Sequence, residues 1–258
     1  LGFLELGLAL KFLSNVDMAY SWGILPREIF LGIWMIIGLG LAAYLFGLIR
    51  FPHDSKDGKV SYPSIGVAVL VLGFVGYVGQ GLTGQSLTYL SVFPPPTFYS
   101  INSDKQCPQG FNCFHSYEKG MAYAKKVNKP VMLDFTGWSC VNCRKMEENV
   151  WIKPGVEDLI DDDYVLISLY VDEKKKLPKD ERYVSDFSGE KITTVGGKWS
   201  DFQASRFRAN SQPYYVLLDH QGDKLLDPKG YTPDAEAYQD FLKKGISKFK
   251  QQQQQAQK

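Results

Sequence analysis

The chain has almost no excess of charge of either sign, and it is poor in histidine and cysteine. Its 258 residues carry a formal net charge of +1, which gives no reason to expect nucleic acid or a strongly acidic partner. The three histidines, His53, His115 and His220, fall in predicted loops or element ends, and none belongs to a motif. Histidine-based catalysis is therefore not expected, and the four cysteines become the residues to interpret.

The sequence also begins without methionine, because Leu1 lies inside an apolar stretch. We therefore expect a piece of a longer protein, in which no signal peptide can be assessed.

The mean hydropathy of −0.19 conceals a strong asymmetry. Residues 1–93 are mostly apolar, whereas the remainder has the mixed composition of a globular domain.

Two apolar runs in the first part predict transmembrane helices. Glu28 to Ile49 and Pro63 to Leu82 are each long enough to cross a hydrocarbon core of about 30 Å at about 1.5 Å per residue. Leu1 to Leu13 resembles the end of a third span, with an interfacial helix as the alternative. Buried helices of a soluble protein are the rival interpretation of the two full spans, and their length and lack of internal charge oppose it.

Lysine and arginine in the loops predict the orientation of these helices. Arg50, Lys56 and Lys59 lie between the two spans, whereas the preceding loop holds only Arg27. Because cytoplasmic loops carry an excess of positive charge, residues 50–62 should be cytoplasmic. The globular part should then face the opposite side, where disulfides form and persist.

The composition predicts four segments. Residues 1–93 form the membrane segment, and residues 94–106 form a linker that contains the stiff Pro94-Pro95-Pro96 run. Residues 107–250 form the globular domain. Residues 251–258 form a glutamine-rich tail that we expect to be disordered.

The most informative motif is Cys140-Val141-Asn142-Cys143. It lies between an apolar strand-like run, Val131 to Phe135, and a helix-like run, Arg144 to Trp151. This is the layout of a thioredoxin-like redox site. Unpaired N–H groups at a helix N-terminus stabilise the thiolate of the first cysteine, and the thiolate is the species that attacks disulfides. The motif therefore predicts thiol–disulfide exchange, with Cys140 as the nucleophile and Cys143 as the buried resolving thiol.

The elements around the motif predict an α/β domain with a mixed central sheet flanked by helices. The order is helix, strand, helix, strand, helix, strand, strand, helix. A charged insertion, Glu173 to Lys198, interrupts it. The insertion is interpreted as a solvated loop, with a docking surface for another protein as the alternative.

Cys107 and Cys113 form a second pair outside the motif. In an oxidising compartment they could close a small loop, which would stabilise the fold by roughly 2–3 kcal/mol. The rival is a zinc site made of all four cysteines, which the irregular spacing disfavours. Arg144 rather than histidine follows Cys143, so the motif is not a c-type haem attachment site.

Longer stretches resemble a known family, the membrane thiol:disulfide interchange proteins of the DsbD family. The globular part is similar to the C-terminal thioredoxin-like domain of that family in LDFTGWSCVNCRKMEENVW and SQPYYVLLD. The membrane part is similar in ALKFLSNVD and IRFPHDS, so the resemblance covers nearly the whole chain.

This resemblance implies a path for electrons. Reducing equivalents would come from cytoplasmic thioredoxin through a cysteine pair in the membrane helices, reach this domain, and pass to periplasmic proteins, including those of cytochrome c maturation. The apolar spans of this chain contain no cysteine, and an N-terminal periplasmic domain is absent from it. The transmembrane cysteine pair would therefore be a partner outside this sequence.

The resemblance also implies roles for four further residues. Asp134 would be the buried carboxyl that exchanges a proton with the resolving cysteine, and Glu147, four residues after Cys143, would act similarly. Pro213 would follow a cis peptide bond and help to hold an incoming peptide. Trp138 would cover a bound substrate from one position earlier than the tryptophan of many thioredoxin-like sites, because Ser139 directly precedes Cys140.

Together these interpretations predict a membrane-tethered protein-disulfide reductase in the inner membrane, with its redox domain in the periplasm. We expect no metal and no cofactor other than the Cys140–Cys143 disulfide. The alternatives are an oxidase or isomerase of the same fold, or a binding module whose cysteines are structural or bind zinc.

Overall fold

The structure is a computed structural model that describes residues 1–52, 54, 60–83, 85, 87–90, 93–101 and 107–256. The chain divides into two compact units. The first contains Leu1–Asp17 and Gly23–Asn102, and the second contains Met18–Trp22 and Ser103–Lys258. His53, Lys56 and Lys59, to which the sequence analysis refers, lie outside the described residues.

The first unit is built on three helices, α1 (Gly2–Tyr20), α2 (Arg27–Leu45) and α3 (Tyr62–Gln80). Within the described residues, α2 and the stretch Tyr62–Thr83 are the two that are long and apolar enough to cross a membrane. Large apolar side chains on both helices remain exposed, such as Ile36 at 70% and Leu70 at 74%. This exposure argues against α2 and α3 as core helices of a soluble domain.

Part of the predicted linker belongs to the first unit. Pro94, Pro95 and Pro96 are buried, and the Pro95 carbonyl accepts a hydrogen bond of 2.6 Å from Arg27 Nη1. The Tyr99 hydroxyl donates to Asp17 Oδ2 at 2.8 Å. Residues 94–101 of the predicted linker therefore belong to the first unit, where polar groups near the ends of α1 and α2 hold this segment. Residues 102–106 lie outside the described residues.

The second unit is a thioredoxin-like α/β domain with a mixed sheet, as the sequence predicts. Its strands are β1 (Cys113–Phe114), β2 (Val131–Thr136), β3 (Val165–Tyr170), β4 (Tyr183–Val184), β5 (Lys191–Ile192) and β6 (Tyr214–Leu218). Four of them form the central sheet in the order β1–β3–β2–β6, with β1, β3 and β2 parallel and β6 antiparallel to β2. The other two, β4 and β5, form a separate antiparallel pair. The helices are α4 (Tyr117–Val127), α5 (Val141–Met146), α6 (Val156–Asp158), α7 (Val195–Phe207) and α8 (Ala235–Ala256).

The two faces of the sheet pack against different helices. Leu133 and Phe135 of β2 belong to a cluster with residues of α4 and α7. Met132 belongs to the opposite cluster, with residues of α5 and α8. Because side chains alternate along a strand, Asp134 shares the face of Met132. A carboxyl group is thereby buried under α5, where the redox motif begins.

The charged insertion has more structure than a solvated loop. It contains the β4–β5 pair, and Leu177 and Ile192 are buried. Helix α7 begins at Val195, within the insertion, because the Thr194 hydroxyl accepts a hydrogen bond from Gly197 N and caps it. A Cβ on Gly196 would lie 2.6 Å from the Val171 carbonyl oxygen, so this close approach requires glycine.

The glutamine-rich tail is helical as far as Ala256, so the expectation of disorder is wrong for residues 251–256. Glutamine is a good helix former, and α8 continues through the run without a break. Gln253 and Asn128, the residue at the C-terminus of α4, exchange two amide hydrogen bonds of 2.5 and 3.2 Å. These contacts hold the last turns of α8 against the domain.

Candidate active site

The Cys-x-x-Cys loop is held by the ends of two neighbouring parallel strands. Thr136 at the end of β2 lies opposite Tyr170 at the end of β3. The Asp172 carboxylate, just past β3, accepts hydrogen bonds from Trp138 N at 2.8 Å and Ser139 N at 3.1 Å. A Cβ on Gly137 would lie 3.0 Å from Asp172 Oδ2, so glycine permits this close contact. The loop reaches Cys140 in a fixed conformation.

Cys140 and Cys143 are joined by a disulfide at the start of α5. Cys140 is the N-cap residue of the helix, and its Sγ accepts a hydrogen bond of 3.2 Å from Cys143 N. Cys140 is half-buried, whereas Cys143 is 1% exposed. The helix N-terminus therefore favours negative charge on Cys140, which is also the sulfur that another protein can reach.

A buried group of charged side chains lies beneath this helix. Asp134 and Glu147 are 1% and 2% exposed, and both surround Arg144, which is 5% exposed. Arg144 Nη2 lies 2.8 Å from Glu147 Oε1 and donates to Thr136 Oγ1 at 3.2 Å. The hydroxyl of Ser168, on β3, donates to Asp134 Oδ2 at 3.2 Å. We call Asp134, Arg144 and Glu147 the buried charge cluster.

Burial raises the pKa of both carboxyl groups in the cluster. For Asp134 the pKa rises to about 7, although Arg144 and the Ser168 hydrogen bond act in the opposite direction. For Glu147 burial raises the pKa to about 8, with Arg144 opposing and Asp134 adding to the increase. Because burial disfavours the charged form of both groups and one guanidinium can neutralise only one carboxylate, we expect the cluster to hold a proton near neutral pH. Such a pair can accept or release a proton during thiol chemistry.

Trp138 is fixed beside the loop by two contacts. Its ring stacks on Tyr170 with centroids 4.2 Å apart, and its Nε1 donates to Glu173 Oε2 at 2.7 Å. Trp138 is half-buried and lies two residues before Cys140. Its role in covering a bound substrate stays a prediction.

Pro213 follows a cis peptide bond, as the resemblance implies. The register of β6 on β2 pairs Tyr214 with Phe135, so Pro213 lies at the edge of the sheet from which the redox loop emerges. Gln203 of α7 fixes the preceding residues, since its Nε2 donates to the Ser211 carbonyl at 2.9 Å and its Oε1 accepts from Gln212 Nε2 at 3.1 Å. Peptide binding at Pro213 stays a prediction.

Cys107 and Cys113 form the second disulfide that the sequence analysis prefers over zinc. Each pair is bonded within itself, so the structure does not assemble the four sulfurs as one ligand set. The loop between Cys107 and Cys113 is anchored by Phe111, whose ring meets Trp151 edge-on at 5.9 Å.

Sequence reasoning missed the residues that support the site. From the sequence, Arg144 served only to exclude a c-type haem attachment site. Its spacing of three from Glu147 is nevertheless that of an ion pair on a helix. Asp172 and Glu173 lie at the end of β3, a position at which parallel strands bring side chains together. Gln203 carries no signal in the sequence, because its partners, the Ser211 carbonyl and the Gln212 side chain, meet it only in the folded domain.

The fold and this site define a thioredoxin-like domain with a disulfide-forming Cys-x-x-Cys pair. The family model described as "Thioredoxin-like domain" matches residues 117–246, just over half of the chain, and the chain belongs to that family. Thioredoxin-like architecture with cysteines that form disulfides suggests a thiol:disulfide oxidoreductase.

Two solved structures are similar to part of the chain. A DsbH oxidoreductase is 17% identical, with 57% of this chain and 93% of that chain covered and a TM-score of 0.40. A thioredoxin from Thermus thermophilus, solved in solution, is 20% identical, with 53% and 88% covered and a TM-score of 0.39. No curated protein matches the chain.

Proposed function

We propose that this chain is a membrane-tethered protein-disulfide reductase of the DsbD type. It would relay reducing equivalents through Cys140 and Cys143 to proteins outside the cytoplasm, including those of cytochrome c maturation. The observation that supports it most strongly is the half-buried Cys140 at a helix N-terminus above a buried charge cluster with carboxyl pKa values near neutrality.

In the reduced state, Cys140 begins the reaction. Its thiolate attacks one sulfur of a partner disulfide, so the partner's S–S bond breaks and a mixed disulfide with Cys140 forms. The partner's second sulfur leaves with the electron pair and takes up a proton. Hydrogen bonding from Cys143 N to the Cys140 sulfur and the helix N-terminus favour the attacking thiolate.

Cys143 then completes the transfer. Its thiol loses a proton and attacks Cys140, which releases the partner as a dithiol and leaves the Cys140–Cys143 disulfide. Cys143 is enclosed, so its proton needs an acceptor inside the protein. A carboxyl with a pKa of about 7, as Asp134 has, is suited to accept a proton and return it when the pair is reduced again.

The electrons that reduce the Cys140–Cys143 disulfide again would come from a partner dithiol. The apolar helices of this chain contain no cysteine, so a transmembrane cysteine pair of a larger membrane domain would supply them. The final acceptors would be disulfide proteins on the periplasmic side of the inner membrane.

The reduction potential of the Cys140–Cys143 pair tests the direction of electron flow. The chain is equilibrated in glutathione buffers, alkylated and analysed by mass spectrometry, which resolves the peptides of the two cysteine pairs. A value at or below roughly −200 mV fits a reductant supplied by thioredoxin, whose potential is about −270 mV. A value near about −120 mV is that of an oxidant and would reverse the proposed direction.

Trapping with Cys143→Ala separates an exchange enzyme from a binding module. Without the resolving thiol, the mixed disulfide on Cys140 should accumulate with partner proteins and disappear with a reductant. A binding module whose cysteines are structural would accumulate none.

Labelling in intact cells tests the proposed orientation. A membrane-impermeant maleimide should modify reduced Cys140 in cells whose outer membrane alone has been permeabilised. Modification only after the inner membrane is broken would place the domain in the cytoplasm.

A further inference from the structure

Cys113 and His115 lie two residues apart where the chain enters the sheet. Cys113 pairs with Leu166 and Phe114 with Ile167, so β1 continues towards the level of Ser168 on β3. His115 follows directly after β1, at a bend of the chain. The distance between Cys113 Sγ and His115 Nε2 is 3.8 Å. An imidazole nitrogen therefore lies beside one sulfur of the second disulfide.

The backbone of β3 determines which imidazole nitrogen can act as a base. His115 Nδ1 lies 3.1 Å from the Ser168 carbonyl oxygen. A carbonyl oxygen can only accept, so Nδ1 carries the hydrogen and donates it. In the neutral ring, Nε2 then presents its lone pair towards Cys113. Tyr170, whose ring centroid is 5.7 Å from that of His115, packs against the ring.

The two cysteines of this disulfide differ in exposure. Cys107 is 6% exposed, whereas Cys113 is half-buried and His115 is exposed. The Cys140–Cys143 pair has the same asymmetry, with one reachable and one enclosed sulfur. A thiol from solution can therefore approach Cys113 more easily than Cys107. The imidazole of His115 lies beside Cys113, the cysteine that such a thiol would attack.

We propose that Cys107–Cys113 is a second thiol–disulfide exchange site, in which Cys113 bonds the incoming thiol and His115 is its general base. This site is separate from the function proposed for Cys140 and Cys143, since neither residue takes part in it.

The reaction needs a thiol as the reductant. Nε2 of His115 takes the proton of the incoming thiol, and the resulting thiolate attacks Cys113 Sγ. The Cys107–Cys113 bond breaks, a mixed disulfide forms on Cys113, and Cys107 leaves with the electron pair and is protonated. A second thiol attacks the sulfur of the first in that mixed disulfide. The two incoming thiols leave joined as a disulfide, and the Cys113 sulfur departs with the electron pair and is protonated to a thiol. Two electrons have then passed from the two thiols to the Cys107–Cys113 pair.

The test uses the full chain in detergent with Cys140→Ser and Cys143→Ser, so that one disulfide remains. Reduced glutathione is the probe, and acid-quenched samples are analysed by peptide mass spectrometry. Glutathione should appear on Cys113 and not on Cys107. His115→Asn keeps an amide donor for the Ser168 carbonyl but removes the base, and it should slow reduction by about 100-fold, the lower end of a general base's contribution.

Two further variants guard against a folding defect. His220→Asn is the matched control, because His220 also contacts a backbone carbonyl, that of Lys129 at 3.1 Å, without a neighbouring sulfur in the described contacts. It should leave the rate unchanged. His115→Gln removes the base while placing an amide near the Nε2 position, and it should be as slow as His115→Asn.

Three results would overturn the proposal. The first is a rate that is unchanged in both His115 variants, and the second is glutathione attached to Cys107. The third is one equivalent of zinc held by the reduced pair and lost in His115→Asn, with the thiols no longer able to exchange, since this would make Cys107, Cys113 and His115 a metal site.

Discussion

The two cysteine pairs of the domain share a layout but differ in how they can handle protons. In each pair one sulfur is reachable and the other is enclosed. Cys140 caps a helix, and the buried charge cluster lies beneath that helix. Cys113 lies in a two-residue strand, with the exposed imidazole of His115 at 3.8 Å. The first pair can use an internal proton store, whereas the second depends on a base that is open to solvent.

This difference indicates that a position in the fold, more than the cysteine spacing, gives a disulfide its chemistry. The ends of β2 and β3 bring Asp134, Ser168 and Tyr170 to one face of the sheet. Ser168 contributes to both sites, since its hydroxyl contacts Asp134 and its carbonyl contacts His115. Four predictions can break or sharpen the comparison.

The largest effect is expected from Cys140→Ser. A serine hydroxyl cannot form the mixed disulfide, so reduction of insulin disulfides by the chain should fall to the uncatalysed rate. His220→Asn, remote from the redox loop in sequence, should retain the activity. Full activity in Cys140→Ser would mean that the second pair is the main exchange site.

The next effect concerns Asp134→Asn and the pH dependence of stability. The folded pKa of Asp134, about 7, exceeds its ordinary value of 3.8, so the folded protein binds more protons between these values. The contribution of Asp134 protonation to the free energy of unfolding is therefore fully present below about pH 4, and it is lost as the pH rises through about 7. Asparagine cannot ionise, so the variant should be more stable than the parent at pH 8 by at most roughly 4 kcal/mol, and little changed at pH 4.

Urea unfolding of the oxidised chain, followed by tryptophan fluorescence at pH 4 and pH 8, measures this effect. Asp186→Asn, at an exposed position of the insertion, is the control, and its change in unfolding free energy between pH 4 and pH 8 should equal that of the parent. If Asp134→Asn also showed the parent's change between these two pH values, the buried charge cluster would not store a proton at Asp134.

A smaller effect is expected from removing the second disulfide. Cys107→Ala with Cys113→Ala opens a loop with a sequence separation of six, which should lower the free energy of unfolding by about 2 kcal/mol. The same denaturation experiment measures it, with the oxidised parent chain as reference. An unchanged stability would mean that Phe111 packing alone holds this loop.

Several features were predictable from local patterns. The strand before Cys140, the helix after it and the spacing of Cys140 and Cys143 are contiguous in the sequence, and a strand-to-helix junction follows from them. Apolar length alone identified α2 and α3 as candidate spans. The resemblance supplied Asp134, Glu147 and the cis bond at Pro213, which composition and periodicity do not indicate.

Other features depend on distant contacts that no window of sequence contains. The Arg144–Glu147 pair is local, but its burial follows from packing under α5 against the sheet. Asp172 reaches the redox loop only because β2 and β3 are parallel neighbours. Polar composition suggested a disordered tail after Gln251, yet helix propensity and the Gln253–Asn128 contacts extend α8. Polarity alone therefore misjudged both the tail and the insertion.

The smallest effect is expected from Ser168→Ala, which separates the two sites. The substitution removes the hydrogen bond to Asp134 Oδ2 but keeps the backbone carbonyl that orients His115. Since that hydrogen bond lowers the pKa of Asp134, its loss should raise the pKa further and reduce stability at pH 8 by about 1 kcal/mol. The rate at which glutathione reduces Cys107–Cys113 should stay the same. Equal effects at both disulfides would mean that Ser168 couples them, and the comparison between an internal and an external proton site would fail.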